Sequence, residues 1–131
     1  MNPKAIFIVT NQGGIEKGLF PESFIYVKCE YVNDSIMDYC DINTRFMYCG
    51  SNDRNNPMRK PNTGMLEELF NNYKSWNDGL SEKDCLMIGD ASGLEGQFSD
   101  SDKKTAENFG IDYMDVSEFV NIYGKGVWYG V

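Results

Sequence analysis

Short apolar runs alternate with longer amphipathic segments along this chain. The first run occupies residues 5–9 and leads directly into the polar and glycine-rich residues 10–14. An unbroken apolar run of this length is typical of a strand that is covered on both faces. Similar runs at residues 45–49, 85–88 and 111–114 predict three further strands.

Between these runs, apolar residues recur at helical spacing. One helix is predicted over residues 21–40, with Pro21 at the first helical position, and a second around residues 66–73. A third is predicted to begin at Ser99, whose spacing to Asp102 is that of a capping box, and to end at Gly110. The apolar positions that define the first two helices are Ile25, Cys29, Val32, Ile36 and Cys40, and then Leu66, Leu69, Phe70 and Tyr73.

This alternation of strands and helices predicts an α/β fold. Such an order gives a parallel sheet with helices on both faces. The chain has 131 residues and contains no internal repeat or linker, so a single domain is predicted over residues 1–131. The glycine- and aromatic-rich tail, residues 123–130, is expected to dock on the domain or to pack in a crystal, and it is assigned no chemistry.

Composition and charge narrow the possible functions. Twenty acidic and twelve basic residues give a net charge of −8, which argues against a free-standing nucleic-acid-binding surface. A phosphorylated nucleic-acid end could still bind in a pocket with a few basic residues. The absence of histidine excludes histidine-based catalysis and histidine-ligated zinc. The four cysteines form no C-x-x-C pair, and no apolar run approaches membrane-spanning length, so we expect a soluble, cytoplasmic protein without zinc or membrane contact.

Three polar side chains fall at the edge of the predicted sheet where ligands bind in open α/β folds. Thr10 ends the first strand, Lys60 lies in the loop before the second helix, and Asp90 follows the third strand. A hydroxyl and an ammonium suit phosphate oxygens, and a carboxylate suits Mg²⁺. Singly, each has an ordinary structural explanation as a turn former, a solvated cation or a cap. Together, on one edge, they predict phosphate chemistry.

Three sequence blocks in this order resemble motifs of a known superfamily. They are VTNQGGI at residues 9–15, RKPNTGM at residues 59–65, and MIGDASG at residues 87–93, which is followed by FSDSDKKTAENFGI at residues 98–111. They resemble motifs II, III and IV of the haloacid dehalogenase superfamily of phosphotransferases, and most closely those of the polynucleotide kinase 3′-phosphatase group. The resemblance implies a three-layer, Rossmann-like parallel sheet with helices on both faces.

The resemblance also implies roles for individual residues. Thr10 would supply a phosphate-binding hydroxyl, with loop amides around Asn11 assisting. Lys60 would steady the phosphate and its developing charge, so Thr10 and Lys60 are the candidate catalytic residues. Asp90 would be a ligand of Mg²⁺, the implied cofactor. For Arg59, contact with substrate and a surface ion pair both stay open.

Three further positions have implied structural roles. Pro61 would shape the loop that presents Lys60, and Gly89 would let the backbone pass close to the metal site. Asp102 also matches a family position, but its spacing from Ser99 favours a role as a helix cap.

The mechanism implied by the resemblance needs one motif that is missing here. Members of the superfamily form an aspartyl-phosphate on the first aspartate of D-x-D-G-T, at the end of their first strand. Residues 1–9 contain no aspartate. We therefore expect a domain that is incomplete at its N-terminus, lacks the first central strand and is inactive alone. Direct pairing of two strands, an upstream segment or a partner chain would then complete the sheet, and exposed edges favour a homodimer.

The sequence leaves three functions open. The first is a Mg²⁺-dependent phosphatase of nucleic-acid 3′-phosphate ends. The second is a non-catalytic module that binds phosphate or a partner chain. The third is a phosphatase of a small molecule such as a sugar or histidinol phosphate. The single cysteine and missing histidine in residues 48–61 count against this third function, because such relatives often carry a Cys/His zinc loop there.

Overall fold

The computed structural model describes residues 3–77 and 79–124. Of the tail at residues 123–130, only residues 123 and 124 are among them, so the expectation that the tail docks or packs lies outside the described residues. The chain divides into two compact units, Met1–Trp76 and Asn77–Val131. Each unit contains two strands and two α-helices in alternating order.

In the first unit the order is β1 (Ala5–Asn11), α1 (Glu22–Cys40), β2 (Asn43–Cys49) and α2 (Gly64–Lys74). The two strands are parallel and in register from Ala5 opposite Asn43 to Asn11 opposite Cys49.

The two helices of the first unit cover opposite faces of this strand pair. The rings of Tyr26 on α1 and Phe46 on β2 are 5.7 Å apart, and those of Phe7 on β1 and Tyr73 on α2 are also 5.7 Å apart. Since Phe46 pairs with Ile8, the residue after Phe7, the two phenylalanines point to opposite faces. The buried apolar residues of this unit are Ile25, Cys29, Cys49, Met65, Leu66, Leu69 and Phe70.

The second unit begins with a 3₁₀ turn (Glu82–Asp84), followed by β3 (Leu86–Gly89), α3 (Ser101–Phe109), β4 (Asp112–Asp115) and α4 (Val116–Tyr123). β3 and β4 are parallel, and α3 and α4 both contact them. Gly110 ends α3 in the left-handed conformation, with φ of 83°, which confirms the predicted helix stop. α4 was not predicted.

The predicted parallel α/β fold is confirmed, but its sheet is divided. The described strands form two two-stranded sheets, β1 with β2 in the first unit and β3 with β4 in the second. Every residue of β1 is half-buried rather than fully buried, and among the described strands β1 is hydrogen-bonded to β2 alone. None of the helices in the described part of the chain is long and apolar enough to cross a membrane.

Candidate active site

The candidate phosphate-binding residues of the first unit lie where β1 and β2 end. Because the two strands are in register, the loops that follow them start side by side. The Gln12 N–H donates to the carbonyl of Cys49 at 2.7 Å, which extends the strand pairing by one residue.

Thr10 is the penultimate residue of β1, and a neighbouring side chain orients its hydroxyl. Gln12 Nε2 donates to Thr10 Oγ1 at 2.9 Å, while Thr10 Oγ1 donates to the carbonyl of Asn11 at 3.5 Å. The second distance is at the long limit for a hydrogen bond, so the hydroxyl can exchange this contact for a phosphate oxygen. No role for Gln12 was predicted, although it stands inside the VTNQGGI block.

The side chain of Asn11 fastens Lys60 to the end of β1. Asn11 Oδ1 accepts from the Lys60 N–H at 2.9 Å, and Asn11 Nδ2 donates to the Lys60 carbonyl at 3.0 Å. Two bonds from one planar amide fix both the position and the orientation of the Lys60 backbone. We call this pair of bonds the Asn11–Lys60 clamp. It brings Lys60 to the strand that carries Thr10, and the contact of loop amides near Asn11 with substrate stays a prediction.

The loop between β2 and α2, residues 50–63, is held by its own polar contacts. Arg59 Nη1 donates to the carbonyl of Ser51 at 3.0 Å. Asn62 Nδ2 donates to two loop carbonyls, each at 2.9 Å. The peptide bond before Pro61 is cis. Arg59 thus supports the loop, a role that was not predicted, and its contact with substrate stays a prediction.

A second link joins the loop after β1 to the loop after β2. Asn52 Nδ2 donates to the carbonyl of Gly13 at 2.9 Å, and the Asn52 N–H donates to the carboxylate of Glu16. A Cβ at Gly13 would lie 2.0 Å from Asn52 Oδ1. A side chain at position 13 would therefore displace the Asn52 amide from this contact.

Asp90, the predicted magnesium ligand, directly follows β3 in the second unit, and its side chain is exposed. The carboxylate of Asp102 is buried behind this loop, where Oδ2 accepts from the Ala91 N–H at 3.2 Å. A Cβ at Gly89 would lie 2.4 Å from Asp102 Oδ2. Glycine is thus required at position 89 to make room for Asp102.

The prediction that Asp102 caps a helix together with Ser99 is wrong. Helix α3 has Asp100 as its N-cap, and the Asp100 side chain makes no capping hydrogen bond. Ser99 Oγ instead accepts from the Ser101 N–H at 3.0 Å. Asp102 turns away from the helix end because the Ala91 N–H in the loop needs an acceptor. The match of Asp102 to a family position was the sequence signal for a role outside the helix.

The second unit surrounds one tyrosine with negative charge. Burial raises the pKa of the Tyr113 hydroxyl. The charges of three carboxylates then raise it further: Asp102, Asp115 and Asp90. An electrostatic environment of this sign favours a cation.

The donor chemistry near Asp90 fits Mg²⁺. Magnesium takes oxygen ligands and is usually held by one or two carboxylates, with water and substrate phosphate completing its coordination. Asp90 and Asp102 can supply such carboxylates. Within the part of the chain that the structure describes, no group of three or more His, Cys, Asp or Glu could hold a metal alone. Magnesium bound here would keep water or substrate oxygens as ligands.

A parallel α/β fold with a threonine at the end of its first strand, and a lysine and an aspartate in the loops after later strands, is typical of haloacid dehalogenase phosphatases. The chain matches the family model described as polynucleotide kinase 3 phosphatase over residues 1–120, and it belongs to this family within that superfamily. The predicted family membership is confirmed.

Two curated proteins are similar to this chain. A probable D-glycero-D-manno-heptose-1,7-bisphosphate 7-phosphatase of Thermoplasma volcanium is 30% identical over 95 residues, which are 72% of this chain and 62% of that protein. The histidine biosynthesis bifunctional protein HisB of Legionella pneumophila is 29% identical over 117 residues, which are 85% of this chain and 28% of that protein. This chain thus spans less than two thirds of either relative. No solved structure gave a significant match.

Proposed function

We propose that this chain carries the phosphate- and magnesium-binding residues of a phosphomonoesterase whose substrates are nucleic-acid 3′-phosphate ends. The observation that carries the proposal is the Asn11–Lys60 clamp, which ties a lysine to the strand end that bears Thr10. The family match supports the nucleic-acid substrate.

In this proposal each residue has a distinct task. The Thr10 hydroxyl donates to a phosphate oxygen, and the Lys60 ammonium offsets the negative charge of the phosphate. Asp90, with Asp102 behind it, would hold Mg²⁺, which neutralises charge on phosphoryl oxygens when it is bound. The proposed location is the cytoplasm, and the free state of all four cysteines agrees with a reducing compartment.

The role of Lys60 can be tested without disturbing the clamp, because the clamp uses only the backbone atoms of Lys60. We expect Lys60→Ala to weaken the binding of vanadate, a phosphate mimic, about 10- to 100-fold, the loss of one charge-assisted hydrogen bond. Calorimetry on the full chain measures this change. Lys4→Ala removes the same charge near the other end of β1, where the side chain is exposed, and should bind as the natural chain does. Equal affinities for all three proteins would remove Lys60 from the site.

Turnover tests whether this chain is active by itself. Residues 1–9 offer no aspartate as nucleophile, so we expect the 131-residue chain with Mg²⁺ to release no phosphate from a 3′-phosphorylated oligonucleotide. Phosphate release that is abolished by Asp90→Ala would show instead that the chain is a complete enzyme.

A small-molecule substrate is the second candidate, because the names of both curated relatives refer to other substrates or pathways. Competition against bound vanadate distinguishes the two. A 3′-phosphorylated oligonucleotide should displace vanadate at lower concentration than a heptose phosphate or histidinol phosphate does. The reverse order would assign the chain to the small-molecule branch.

We also propose that the free edge of β1 pairs with a strand of a partner, in a homodimer or from another chain. The half-burial of all seven residues of β1 and its single hydrogen-bonded neighbour support this proposal. Light scattering on the eluting protein should give at least twice the monomer mass of 14.9 kDa. A monomer at micromolar concentration would exclude the homodimer.

A further inference from the structure

The loop that follows Asp90 is built around the side chain of Gln97. Gln97 Oε1 accepts from the Ser92 N–H at 2.7 Å and from the Leu94 N–H at 3.2 Å. The intervening Gly93 N–H donates to the carbonyl of Ser99 at 3.0 Å. These three consecutive backbone donors therefore all have acceptors inside the second unit.

The other end of the Gln97 amide is fixed as well. Gln97 Nε2 donates to Asp115 Oδ2 at 2.7 Å, and Ser92 Oγ donates to the same oxygen at 2.5 Å. Because the Ser92 proton goes to the carboxylate, the Tyr113 hydroxyl is the donor in its 2.5 Å contact with Ser92 Oγ. Asp115 Oδ1 accepts from the N–H and the hydroxyl of Ser117, at 2.8 and 2.5 Å.

These contacts leave Asp90 little freedom at its C-terminal side. Ala91 donates its N–H to Asp102, and its carbonyl accepts from the N–H groups of Asp102 and Lys103, each at 3.1 Å. Ser92, one residue further on, is held from its backbone by Gln97 and from its side chain by Asp115. The backbone that carries the Asp90 side chain is thus held by Gln97 in the loop and by Asp115 at the end of β4.

We propose that Gln97 and Asp115 are positioning residues that pre-organise the Asp90 loop for a divalent cation. The inference rests on the proposed function, in which Asp90 binds Mg²⁺. Replacing a residue that supports a metal ligand through hydrogen bonds commonly lowers the metal affinity about 10- to 100-fold. Gln97 suits this task because one amide offers both the acceptor that the loop N–H groups need and the donor that Asp115 needs.

The nearest alternative is that the network of hydrogen bonds among Gln97, Ser92 and Asp115 only stabilises the fold. Gln97→Glu tests this distinction because it keeps the size of the side chain, loses the donor and sets a second carboxylate against Asp115. Gln97→Asn keeps the amide group, but its side chain is too short to reach both the loop N–H groups and Asp115. Because Gln97 is only half-buried, both variants should fold. Ser117→Ala is the structural control. It removes a bond to Asp115 Oδ1 and leaves every contact of Asp115 with the loop in place.

The experiment titrates the full 131-residue chain with Mn²⁺, an ion that also prefers oxygen ligands, and follows free Mn²⁺ by electron paramagnetic resonance. Urea unfolding and hydrogen exchange of residues 91–98 are measured on the same proteins. We expect Gln97→Glu, Gln97→Asn and Asp115→Asn to bind Mn²⁺ about 10- to 100-fold more weakly and to exchange faster in this loop. Ser117→Ala and Asp112→Asn, which removes an exposed carboxylate from the same strand, should bind as the natural chain does.

The outcomes separate this inference from the proposed function. If the natural chain binds Mn²⁺ and Asp90→Asn does not, but folded Gln97 variants retain full affinity, the positioning role is overturned and the metal site stands. If Ser117→Ala weakens binding as much as the Gln97 variants do, the network is merely structural. If the natural chain and Asp90→Asn bind Mn²⁺ equally, the metal site and the inference fail together. Should Asp115→Asn not fold, the two Gln97 variants decide the question.

Discussion

Asparagine 11 uses both hydrogen-bonding functions of its amide on the backbone of Lys60, which is 49 positions away in the sequence. Aspartate or alanine could not make both bonds, since one lacks the donor and the other lacks both groups. Gln12, in the next position, directs the hydroxyl of Thr10. One of these neighbouring side-chain amides thus holds the backbone of Lys60, and the other bonds directly to the hydroxyl of Thr10.

Asp115 gives a pH-dependent prediction at the scale of the residue. Hydrogen bonds from Ser117, Ser92 and Gln97 hold the pKa of Asp115 well below its usual range. Its ionised form therefore stabilises the fold fully above the unfolded-state pKa of about 3.9, and this contribution shrinks as the pH falls below that value. In urea unfolding, the deficit of Asp115→Asn should be large at pH 7 and smaller at pH 3. A deficit of the same size at both pH values would contradict the assignment.

The candidate phosphate- and metal-binding residues could be selected from the sequence, whereas the residues that support them could not. Thr10, Lys60 and Asp90 could be selected because each follows a strand and stands in a recognisable block. Gln97 and Asp115 could not, because they lie 18 positions apart, they hold Ser92 from 5 and 23 positions away, and no periodic pattern links these residues. Asp102 was misassigned because a local explanation, the capping box, competed with a contact eleven positions away.

At the scale of elements, the strands and the longer helices were predictable from their apolar periodicity. α4 was missed although Asp115 caps it and Phe119 and Tyr123 pack 5.0 Å apart at helical spacing. A helix of eight residues gives only two turns of pattern, and short helices owe their stability mainly to packing. Which strands pair with each other could not be predicted from the apolar pattern either, since pairing depends on contacts between distant segments.

Methionine provides a matched pair of substitutions on the two helices of the first unit. Met65 on α2 is 1% exposed, whereas Met37 on α1 is 42% exposed. Met65→Ala should lower the free energy of unfolding by about 2–5 kcal/mol, because it leaves a cavity in the core. Met37→Ala should change it by less than about 0.5 kcal/mol. Urea unfolding followed by circular dichroism measures both. A comparable loss for the two variants would mean that α2 does not form the core of this unit.

At the scale of the whole molecule, charge is unevenly divided. Residues 1–76 contain eight basic and nine acidic residues, and residues 77–131 contain four basic and eleven acidic residues. The candidate phosphate-binding residues are thus in the nearly neutral unit, and the candidate cation ligand is in the strongly acidic one. The excess of acidic residues is thus in the unit proposed to bind a cation, and it is nearly absent from the unit proposed to bind phosphate.

The division of charge predicts how strongly salt affects nucleic-acid binding. With only Arg54, Arg59 and Lys60 in the loop of residues 50–63, about two or three phosphates can be neutralised, so log K for a 3′-phosphorylated single strand should fall by about 1.4–2 per tenfold rise in salt. Fluorescence anisotropy at several salt concentrations measures the slope. The same strand with a 3′-hydroxyl should bind more weakly. A slope several times steeper would indicate a long basic track instead of recognition of one end.

The Asn11–Lys60 clamp has a consequence for how such a domain can change its substrate. Because β1 holds the backbone of Lys60 directly, the preceding segment, residues 51–58, does not have to position this lysine. We expect that segment to vary more in length and sequence than the residues of the clamp, while the candidate phosphate-binding lysine stays in place. If Lys60 binds phosphate as proposed, phosphate binding and substrate choice could evolve independently, and grafting this segment between relatives would be a route to new specificity.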